Sequence, residues 1–220
     1  MIGKGKSISH GVAAREYDLA KEIDGQAAAT EIARHELYGC TGAEMVQEMK
    51  PYFTDFPNVK NNCLRFEVSP SIEESSSFTD ADWAELGNDF MQRMGLMNHQ
   101  YIIIKHSGTE SKKEQAHLHI LANRISLSGE LYRDNWIGKR ATEAANAIAK
   151  ERNFVQSQDI GKANKEEIKE VMNSVLKKMQ GFDLTKFQEE LGKLGFKVRE
   201  ARASTGKLNG YYVTARSGTE

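Results

Sequence analysis

The stretch "EQAHLHILANRIS", residues 114–126, places two histidines two positions apart in a run that is otherwise mostly apolar. Side chains alternate between faces along a β-strand, so His117 and His119 should point to the same side of a sheet. A third histidine, His106, ends the apolar run "QYIIIKH", and antiparallel pairing would bring it beside the other two. Three neutral imidazoles with open coordination positions are typical of a catalytic metal site. The pattern therefore predicts one divalent ion on a sheet face, with ordinary polar histidines as the alternative.

Tyr17 is the residue whose position suggests a nucleophile for that site. It lies in "SISHGVAAREYDLAKE", near the start of a predicted helix and after a basic segment that contains glycine, which is an unusual place for a packing aromatic residue. A phenol, with a pKa near ~10, attacks poorly unless a cation or a base stabilises the phenolate. A divalent ion also polarises a phosphoryl oxygen. A tyrosine with a three-histidine metal site therefore favours attack on a phosphodiester.

The composition indicates a globular protein without a membrane segment. A chain of 220 residues with 39% apolar residues can form one ordinary domain and a smaller appendage. No run approaches the ~20 apolar residues of a membrane-spanning helix, and the N-terminus lacks the features of a signal peptide, so we expect no membrane insertion and a cytoplasmic location. The two cysteines are expected to be reduced thiols. The net charge of −1 does not itself indicate a nucleic-acid partner.

Periodicity predicts a mixed order of helices and strands over the first 155 residues. Thr79 is the predicted N-cap of an amphipathic helix that Gly95 closes. The other predicted elements are helices at 14–23, 41–53 and 138–152 and strands at 64–70, 100–106 and 116–126. The last two strands are expected to be adjacent and antiparallel, which is the arrangement that the metal site requires.

The character of the chain changes after Asn153. Residues 154–167 read as a polar connector, followed by two helical segments at 165–179 and 183–194 and by a β-hairpin. We expect two domains, 1–155 and 156–220, of which the second is a small helix–helix–hairpin unit. Because the chain stops directly after the last strand, we also expect it to be a truncated form of a longer protein.

The sequence resembles the HUH-type conjugative relaxases, the mobilisation nucleases of plasmids and integrative elements, in the class whose single catalytic tyrosine lies near the N-terminus. The HxH followed by "LANR" is the most specific element of the resemblance. The end of the chain, 194–220, is similar to the segment that comes after the nuclease core in Bacteroides-type relatives. The matching stretches cover residues 1 to about 155 in the family's order: "GKSISHG", "REYDLAKE", "LRFEVSP", "TDADWAELGNDFMQRMGLMNHQYIIIKH", "AHLHILANRIS", "GELYRD" and "KRATEAANAIAKERN".

The resemblance implies an α+β fold with a central antiparallel five-stranded sheet flanked by helices, the HUH nuclease fold. It implies a metal-dependent DNA relaxase that nicks one strand at an origin of transfer (oriT) during conjugation and rejoins it, through a 5′-phosphotyrosyl intermediate. The implied partners are single-stranded DNA at the origin and other relaxosome and mobilisation proteins. Relatives imply Mn²⁺ or Mg²⁺, although three imidazoles bind Ni²⁺ or Zn²⁺ more tightly.

The resemblance also assigns roles to single residues. Glu114 stands three positions before the HxH, where relatives carry an aspartate, but the loop here is longer. Glu67, on the strand "LRFEVSP", is a second candidate for a carboxylate near the tyrosine, and an exposed surface charge is the alternative for both glutamates. The roles carried over by position are Tyr17 as nucleophile, His106, His117 and His119 as metal ligands, and Asn123 as a residue that orients a ligand or a nucleotide from behind them.

Basic residues near these positions are candidates for DNA contact, because a single strand must reach the tyrosine and the metal. The charges of such side chains are otherwise simply solvated. His99 is expected at the surface. The candidates are Lys4, Lys6 and Arg15 around the tyrosine and Lys105, Lys112 and Lys113 around the histidines.

Two other classes of function fit part of the pattern. A metal-dependent oxygenase of the cupin kind also carries HxH on a strand, but this chain is more helical than such a protein. A non-enzymatic protein that binds the origin of transfer, with structural histidines, is the other alternative. Replacement of Tyr17 by phenylalanine separates this alternative from a nuclease, because only a nuclease would lose cleavage and keep DNA binding.

Overall fold

A five-stranded antiparallel sheet forms the centre of the larger of two compact units in the computed structural model, which describes residues 1–23, 25–108 and 115–215. The elements of this unit are β1 (Ile2–Ile8), α1 (Gly11–Leu19), β2 (Glu22–Ile23), β3 (Gln26–Ala27), β4 (Ala29–His35), α2 (Gly42–Met49), a 3-10 helix (Lys50–Phe53), β5 (Cys63–Ser69), α3 (Ile72–Ser75), α4 (Asp80–Arg93), β6 (His99–His106), β7 (His117–Ser126) and α5 (Ile137–Glu151). The remaining elements are α6 (Ser157–Lys178), α7 (Leu184–Lys193), β8 (Phe196–Arg202) and β9 (Leu208–Ala215).

The strands of the large sheet lie in the order β1-β5-β7-β6-β4, and every neighbouring pair is antiparallel. β5, β7 and β6 are central. β6 and β7 carry apolar runs that are buried on both faces, whereas β5 alternates buried apolar residues with partly exposed polar ones. β1 and β4 are the edges and are more polar. The predicted fold class, an antiparallel five-stranded sheet flanked by helices, is confirmed.

The two faces of the sheet pack against different helices. On one face, Leu118 and Ile120 of β7 belong to a core cluster that includes residues of α4 and α5. On the other face, Leu121 belongs to a second cluster with Ala14 of α1 and Met45 of α2. His117 and His119 share the parity of Leu121, so they lie on the face that carries α1.

The close packing of α5 on β1 leaves the other face of that edge strand available. A Cβ atom at Gly3 would collide with the carbonyl oxygen of Ala141, so only glycine permits this approach. The hydroxyl of Thr142 donates to the carbonyl of Gly3 at 3.0 Å. α5 therefore covers the glycine side of β1, and the lysines that alternate with the glycines point to the opposite face.

The second compact unit comprises residues 158–220, and its described part consists of two helices and a hairpin. Its core is formed by Val175, Phe187, Leu191 and Phe196. The predicted connector over 154–167 is wrong for most of its length, because α6 begins at Ser157. The first turns of α6 are largely exposed and polar, so they lack the apolar periodicity by which a helix is recognised in sequence. None of the described helices combines the length and the apolar character that crossing a bilayer requires.

Candidate metal centre

The pairing of β6 with β7 brings the three predicted histidines together. His106 lies directly opposite His117 in the register, and His119 is two residues further along the same strand face. One nitrogen from each ring can be chosen so that the three atoms lie within 4.8 Å of one another. The facing Nε2 atoms of His117 and His119 are 3.2 Å apart. The arrangement is that of three nitrogen donors directed at one point, which is how a small ion is bound.

Backbone carbonyls hold two of these rings and leave a nitrogen of each for a metal. Nε2 of His106 donates to the carbonyl oxygen of Asp18 at 2.6 Å, and Nδ1 of His117 donates to that of Gln115 at 3.1 Å. Such contacts fix the tautomer and the orientation of a ligating histidine. Nδ1 of His119 lies 3.3 Å from Nη2 of Arg65 and 3.8 Å from Oδ1 of Asp18.

Burial keeps His106 and His119 in the neutral form that binds a metal. Removal from water lowers the pKa of His106 to about 4, because the charged imidazolium loses its hydration. The same burial, together with the neighbouring histidines, lowers the pKa of His119 further. At neutral pH these two rings therefore carry free lone pairs. The donor set fits a divalent ion with open positions.

Helix α1 places Tyr17 beside this centre. The helix packs on the histidine face of the sheet, and Ala14 and Asp18, one turn apart, are buried there at 4% and 1% exposure. Tyr17 is 63% exposed and points away from the packed side of α1. The guanidinium of Arg65 lies over the Tyr17 ring, 5.9 Å from its centroid. The structure thus brings the predicted nucleophile to the same side of the sheet as the histidines.

Asp18 and Arg65 join the tyrosine helix to the sheet, and neither residue was identified from the sequence. Nη2 of Arg65 donates to the carboxylate of Asp18 in a close ion pair. Burial raises the pKa of Asp18 to about 6, and the charge of Arg65 partly opposes this shift. The signal that could have found Arg65 is its position two residues before Glu67, because both residues share a strand face. Asp18 directly follows Tyr17, and the sequence contains no further sign that it is buried.

An open cleft of about 210 Å³ lies next to the centre and collects four of the predicted site residues. Glu67 stands opposite His119 in the register and binds Nζ of Lys4 at 3.0 Å. Lys6 of β1 stands opposite Arg65 of β5 in the strand register. The cleft is therefore largely basic, with one carboxylate. Its lining residues are Lys4, Gly5, Lys6, Arg65, Phe66, Glu67 and His119.

Two predicted DNA contacts lie elsewhere. Lys105 precedes His106 in the strand, so its side chain points to the opposite face, where it forms an ion pair with Asp80 of α4. Arg15 is buried at 6% exposure and donates to the carbonyl oxygen of Cys40 at 2.6 Å. Both side chains therefore lie outside the cleft lining, and their contact with DNA stays a prediction.

Asn123 is fully buried, and its side chain forms hydrogen bonds with Gln100 and Ile125, not with the three histidines. Its Nδ2 donates to Oε1 of Gln100, and its Oδ1 accepts from the backbone N–H of Ile125, both at 2.9 Å. His99, expected at the surface, is buried at 5% exposure with Nδ1 2.8 Å from the carbonyl oxygen of Asn123. Three further predicted residues lie outside the described residues: Lys112, Lys113 and Glu114.

Comparisons with known proteins place this geometry in a family context. Residues 17–154, more than half of the chain, match the family model for relaxases, the MobA/VirD2-like nuclease domain. No curated protein matches the chain. Among solved structures, the chain is similar to the conjugative relaxase TrwC in complex with oriT DNA, in a metal-bound structure, at 12% sequence identity and a TM-score of 0.37. That match covers 94% of this chain and 74% of the other.

Proposed function

The chain belongs to the relaxases with a MobA/VirD2-like nuclease domain, and on this premise we propose that it nicks and rejoins one DNA strand at an origin of transfer through a 5′-phosphotyrosyl bond at Tyr17. The observation that carries this proposal is the packing of α1 on the face that bears the three histidines. Through that packing the residue after Tyr17 is hydrogen-bonded to His106. The proposed nucleophile and the metal centre then both lie beside Arg65, which lines the cleft.

His106, His117 and His119 would hold one divalent ion, because their nitrogens converge and burial keeps two of the rings neutral. When bound, the ion supplies a positive charge that polarises a phosphoryl oxygen and relieves the negative charge that develops during attack. Mn²⁺ and Mg²⁺ are the ions we propose for the reaction. Ni²⁺ or Zn²⁺ could occupy the purified protein, because imidazole nitrogens favour them.

Tyr17 acts as the nucleophile in a transesterification. A bond forms between its Oη and the phosphorus, and the bond from the phosphorus to the 3′ oxygen breaks. The phenol loses its proton and the departing oxygen gains one, so the products are a phosphotyrosine and a free 3′-hydroxyl. Because the phosphodiester energy is retained, no nucleotide cofactor is needed and the step can run backwards.

Arg65 and Asp18 position this chemistry. The guanidinium of Arg65 lies beside the Tyr17 ring and beside His119, where it can pair with both a phosphate oxygen and the developing phenolate. The ion pair with Asp18 fixes the guanidinium in that place. We assign Asp18 as a positioning residue and Arg65 as a residue that contacts the scissile phosphate.

The cleft beside the centre is the proposed entry for single-stranded DNA. Lys4 and Lys6 are exposed along its wall and provide charges for phosphates. Glu67 lies on the same wall and is the proposed carboxylate for proton transfer from the phenol. As a member of this family the protein is expected to act in the cytoplasm with other relaxosome and mobilisation proteins.

The proposal is tested with a single-stranded oligonucleotide that spans the origin of the element encoding this protein. Incubation with divalent metal should yield a covalent protein–DNA adduct on a denaturing gel. The adduct should carry the label only when the label lies on the 3′ side of the nick, because the fragment on that side is bonded to Tyr17 through its 5′-phosphate. Tyr17→Phe should abolish the adduct and leave binding of the oligonucleotide intact. Tyr38→Phe is the matched control, since Tyr38 is also exposed, at 76%, and lies outside the cleft lining. A free 5′-phosphate without an adduct would show that water is the nucleophile.

A further inference from the structure

Trp136 is the most exposed large apolar side chain in the described part of the chain, at 80%. The other tryptophan of the sequence, Trp83, is buried at 2%. Tryptophan carries a large apolar face, so leaving it in water forgoes stabilisation that burial would supply. An aromatic side chain exposed to this degree is a candidate for contact with a partner.

The backbone at Trp136 is in the left-handed region, with φ 55° and ψ 27°. This conformation is unfavourable for a residue with a Cβ, and glycine or asparagine adopts it more readily. Trp136 is also the N-cap of α5, where its side chain makes no capping hydrogen bond. The turn thus holds a bulky residue in a backbone conformation that such residues rarely adopt, and the indole points into solvent.

The surroundings of the indole are basic. Arg133 and Lys139 are exposed on either side of it in sequence. Arg133 has no ion-pair or hydrogen-bond partner for its side chain among residues 1–23, 25–108 and 115–215. The nearby carboxylate of Asp134 is neutralised by Arg124, whose Nη2 lies 2.6 Å from Oδ1. The ammonium of Lys139 lies 3.7 Å from Oε1 of Glu143, in an exposed pair of the kind that contributes little in water. An aromatic face flanked by exposed positive charges is complementary to a base and its phosphates.

The position of Trp136 connects it to the cleft. Oδ2 of Asp134, two residues before Trp136, accepts a hydrogen bond from Oγ of Ser7 at 2.6 Å. Ser7 follows Lys6 in β1, and the two side chains point to opposite faces of this edge strand. Lys6 lines the cleft. A strand that leaves the cleft over the edge of β1 therefore arrives at Trp136.

We infer that Trp136 is a stacking platform for an unpaired base of the single-stranded DNA that flanks the cleavage site, with Arg133 and Lys139 contacting the adjacent phosphates. Only an unpaired base exposes its full face to an indole, which favours a single strand over a duplex. The inference rests on the proposed function, which identifies the bound strand as the single-stranded DNA beside the cleavage site. It adds a binding site that lies outside the metal centre and the cleft.

The test measures binding without cleavage, so that it is independent of the nucleophile. In the full chain carrying Tyr17→Phe, the affinity for a fluorescein-labelled oligothymidylate is measured by anisotropy, with a length of about 20 nucleotides to exceed the ~4–16-nucleotide sites of single-strand binding domains. Trp136→Ala should weaken binding roughly 5- to 150-fold, the range for loss of one stacked base. Trp136→Phe should retain most of the affinity. Tyr38→Ala, at an exposed tyrosine whose hydroxyl donates to Glu36, should change nothing.

Trp136→Asn separates a binding defect from a folding defect. Asparagine tolerates the left-handed backbone, so this variant should unfold at the same temperature as the parent or a higher one, and should still bind the oligonucleotide as weakly as Trp136→Ala. Oligothymidylate should also quench the tryptophan emission of the parent and not that of Trp136→Phe, whose remaining Trp83 is buried. Unchanged affinity in Trp136→Ala, or an equal loss for duplex DNA of the same length, would overturn the inference. Failure of the phosphotyrosine assay would leave these binding results unaffected.

Discussion

Asp18 and Arg65 form an ion pair that joins the tyrosine helix to the second strand in sheet order. Asp18 is almost completely buried, and Arg65 reaches from it to the open cleft. The two residues are 47 positions apart in sequence, and Asp18 directly follows Tyr17. The pair therefore ties the position of the proposed nucleophile to the wall along which DNA is proposed to enter.

We predict that Arg65→Ala lowers the rate of adduct formation by about 10²–10³-fold, the range observed when a donor to a developing charge is removed. Arg65→Lys should recover only part of the rate, because an ammonium cannot pair with Asp18 and a phosphate in the planar geometry of guanidinium. Single-turnover assays with the origin oligonucleotide measure both. Arg93→Ala is the matched control, since Arg93 pairs with Glu151. A rate of Arg65→Ala equal to that of the control would exclude contact with the phosphate.

We predict that His117→Ala and His119→Ala each lower the bound metal to a small fraction of the wild-type content. Removal of one of three ligands leaves a two-nitrogen site, and ligand number governs the affinity. Mass-spectrometric metal counts on dialysed protein measure this and also identify the ion. His35→Gln is the control, because His35 stacks on Tyr101 toward the other end of the paired strands β4 and β6. Wild-type metal content in both variants would contradict a shared site.

The central strands and the main helices were predictable from sequence because their apolar periodicity reports burial. The helix after Thr79 has the predicted N-cap, which the structure shows as part of a capping box, and β6 and β7 begin and end within one residue of the predicted bounds. The edge strand β1 was not predicted from its residues. Glycines replace apolar side chains on its packed face, because α5 approaches too closely for a Cβ, so the alternation that marks a strand is missing.

The histidines of the candidate site could be predicted because strand parity alone places His117 and His119 together. The Asp18–Arg65 pair could not, since it depends on how a short helix packs on a sheet. Lys105 is adjacent to His106 in sequence, but strand alternation directs its side chain to the opposite face, where it pairs with Asp80. Burial of His99 depends on a contact with the backbone of a neighbouring strand, which the sequence does not show.

We predict that the metal-free protein loses stability as the pH falls from about 6.5 toward 4, partly through His106. Burial lowers the folded-state pKa of His106 to about 4, while the unfolded chain titrates near ~6.5. In this window the unfolded state binds a proton that the folded state does not, so the free energy of unfolding falls by about 1.4 kcal/mol per pH unit. His106→Gln cannot take up this proton in the unfolded state, so its free energy of unfolding should fall less steeply as the pH decreases.

Urea unfolding with EDTA at several pH values measures the two slopes. The raised pKa of Asp18 acts in the opposite direction, because below about pH 6 the folded state takes up a proton before the unfolded state does. That contribution is present in both proteins and largely cancels in the comparison. Equal slopes for the wild type and His106→Gln would contradict a buried, neutral His106.

We predict that the two cysteines differ sharply in reactivity. Cys40 is exposed, whereas Cys63 is buried on β5 against Gly11, and burial raises the pKa of its thiol to about 11. Because the thiolate is the reactive form, a maleimide should label only Cys40 in the native protein and both cysteines in denaturant. Intact-mass spectrometry counts the labels, and Cys40→Ser should remain unlabelled under native conditions. Rapid native labelling of Cys63 would indicate that α1 separates readily from the sheet.

Strand rejoining distinguishes a relaxase from an ordinary metal-dependent nuclease. If Tyr17 keeps the 5′-phosphate in a phosphodiester, a second 3′-hydroxyl can attack it and release the enzyme. Adding excess of an oligonucleotide that ends in the 3′ sequence of the nick, with a different length, should therefore yield a recombinant strand of predictable size. The geometry supports this reversal, because Tyr17 lies beside Arg65 of the cleft lining, on a helix that contacts with His106 and Arg65 hold on the sheet. EDTA and Tyr17→Phe should each suppress the recombinant, whereas Cys40→Ser should not. Cleavage by the wild type that never yields a recombinant strand would point to hydrolysis, and the proposed phosphotyrosyl intermediate would have to be abandoned.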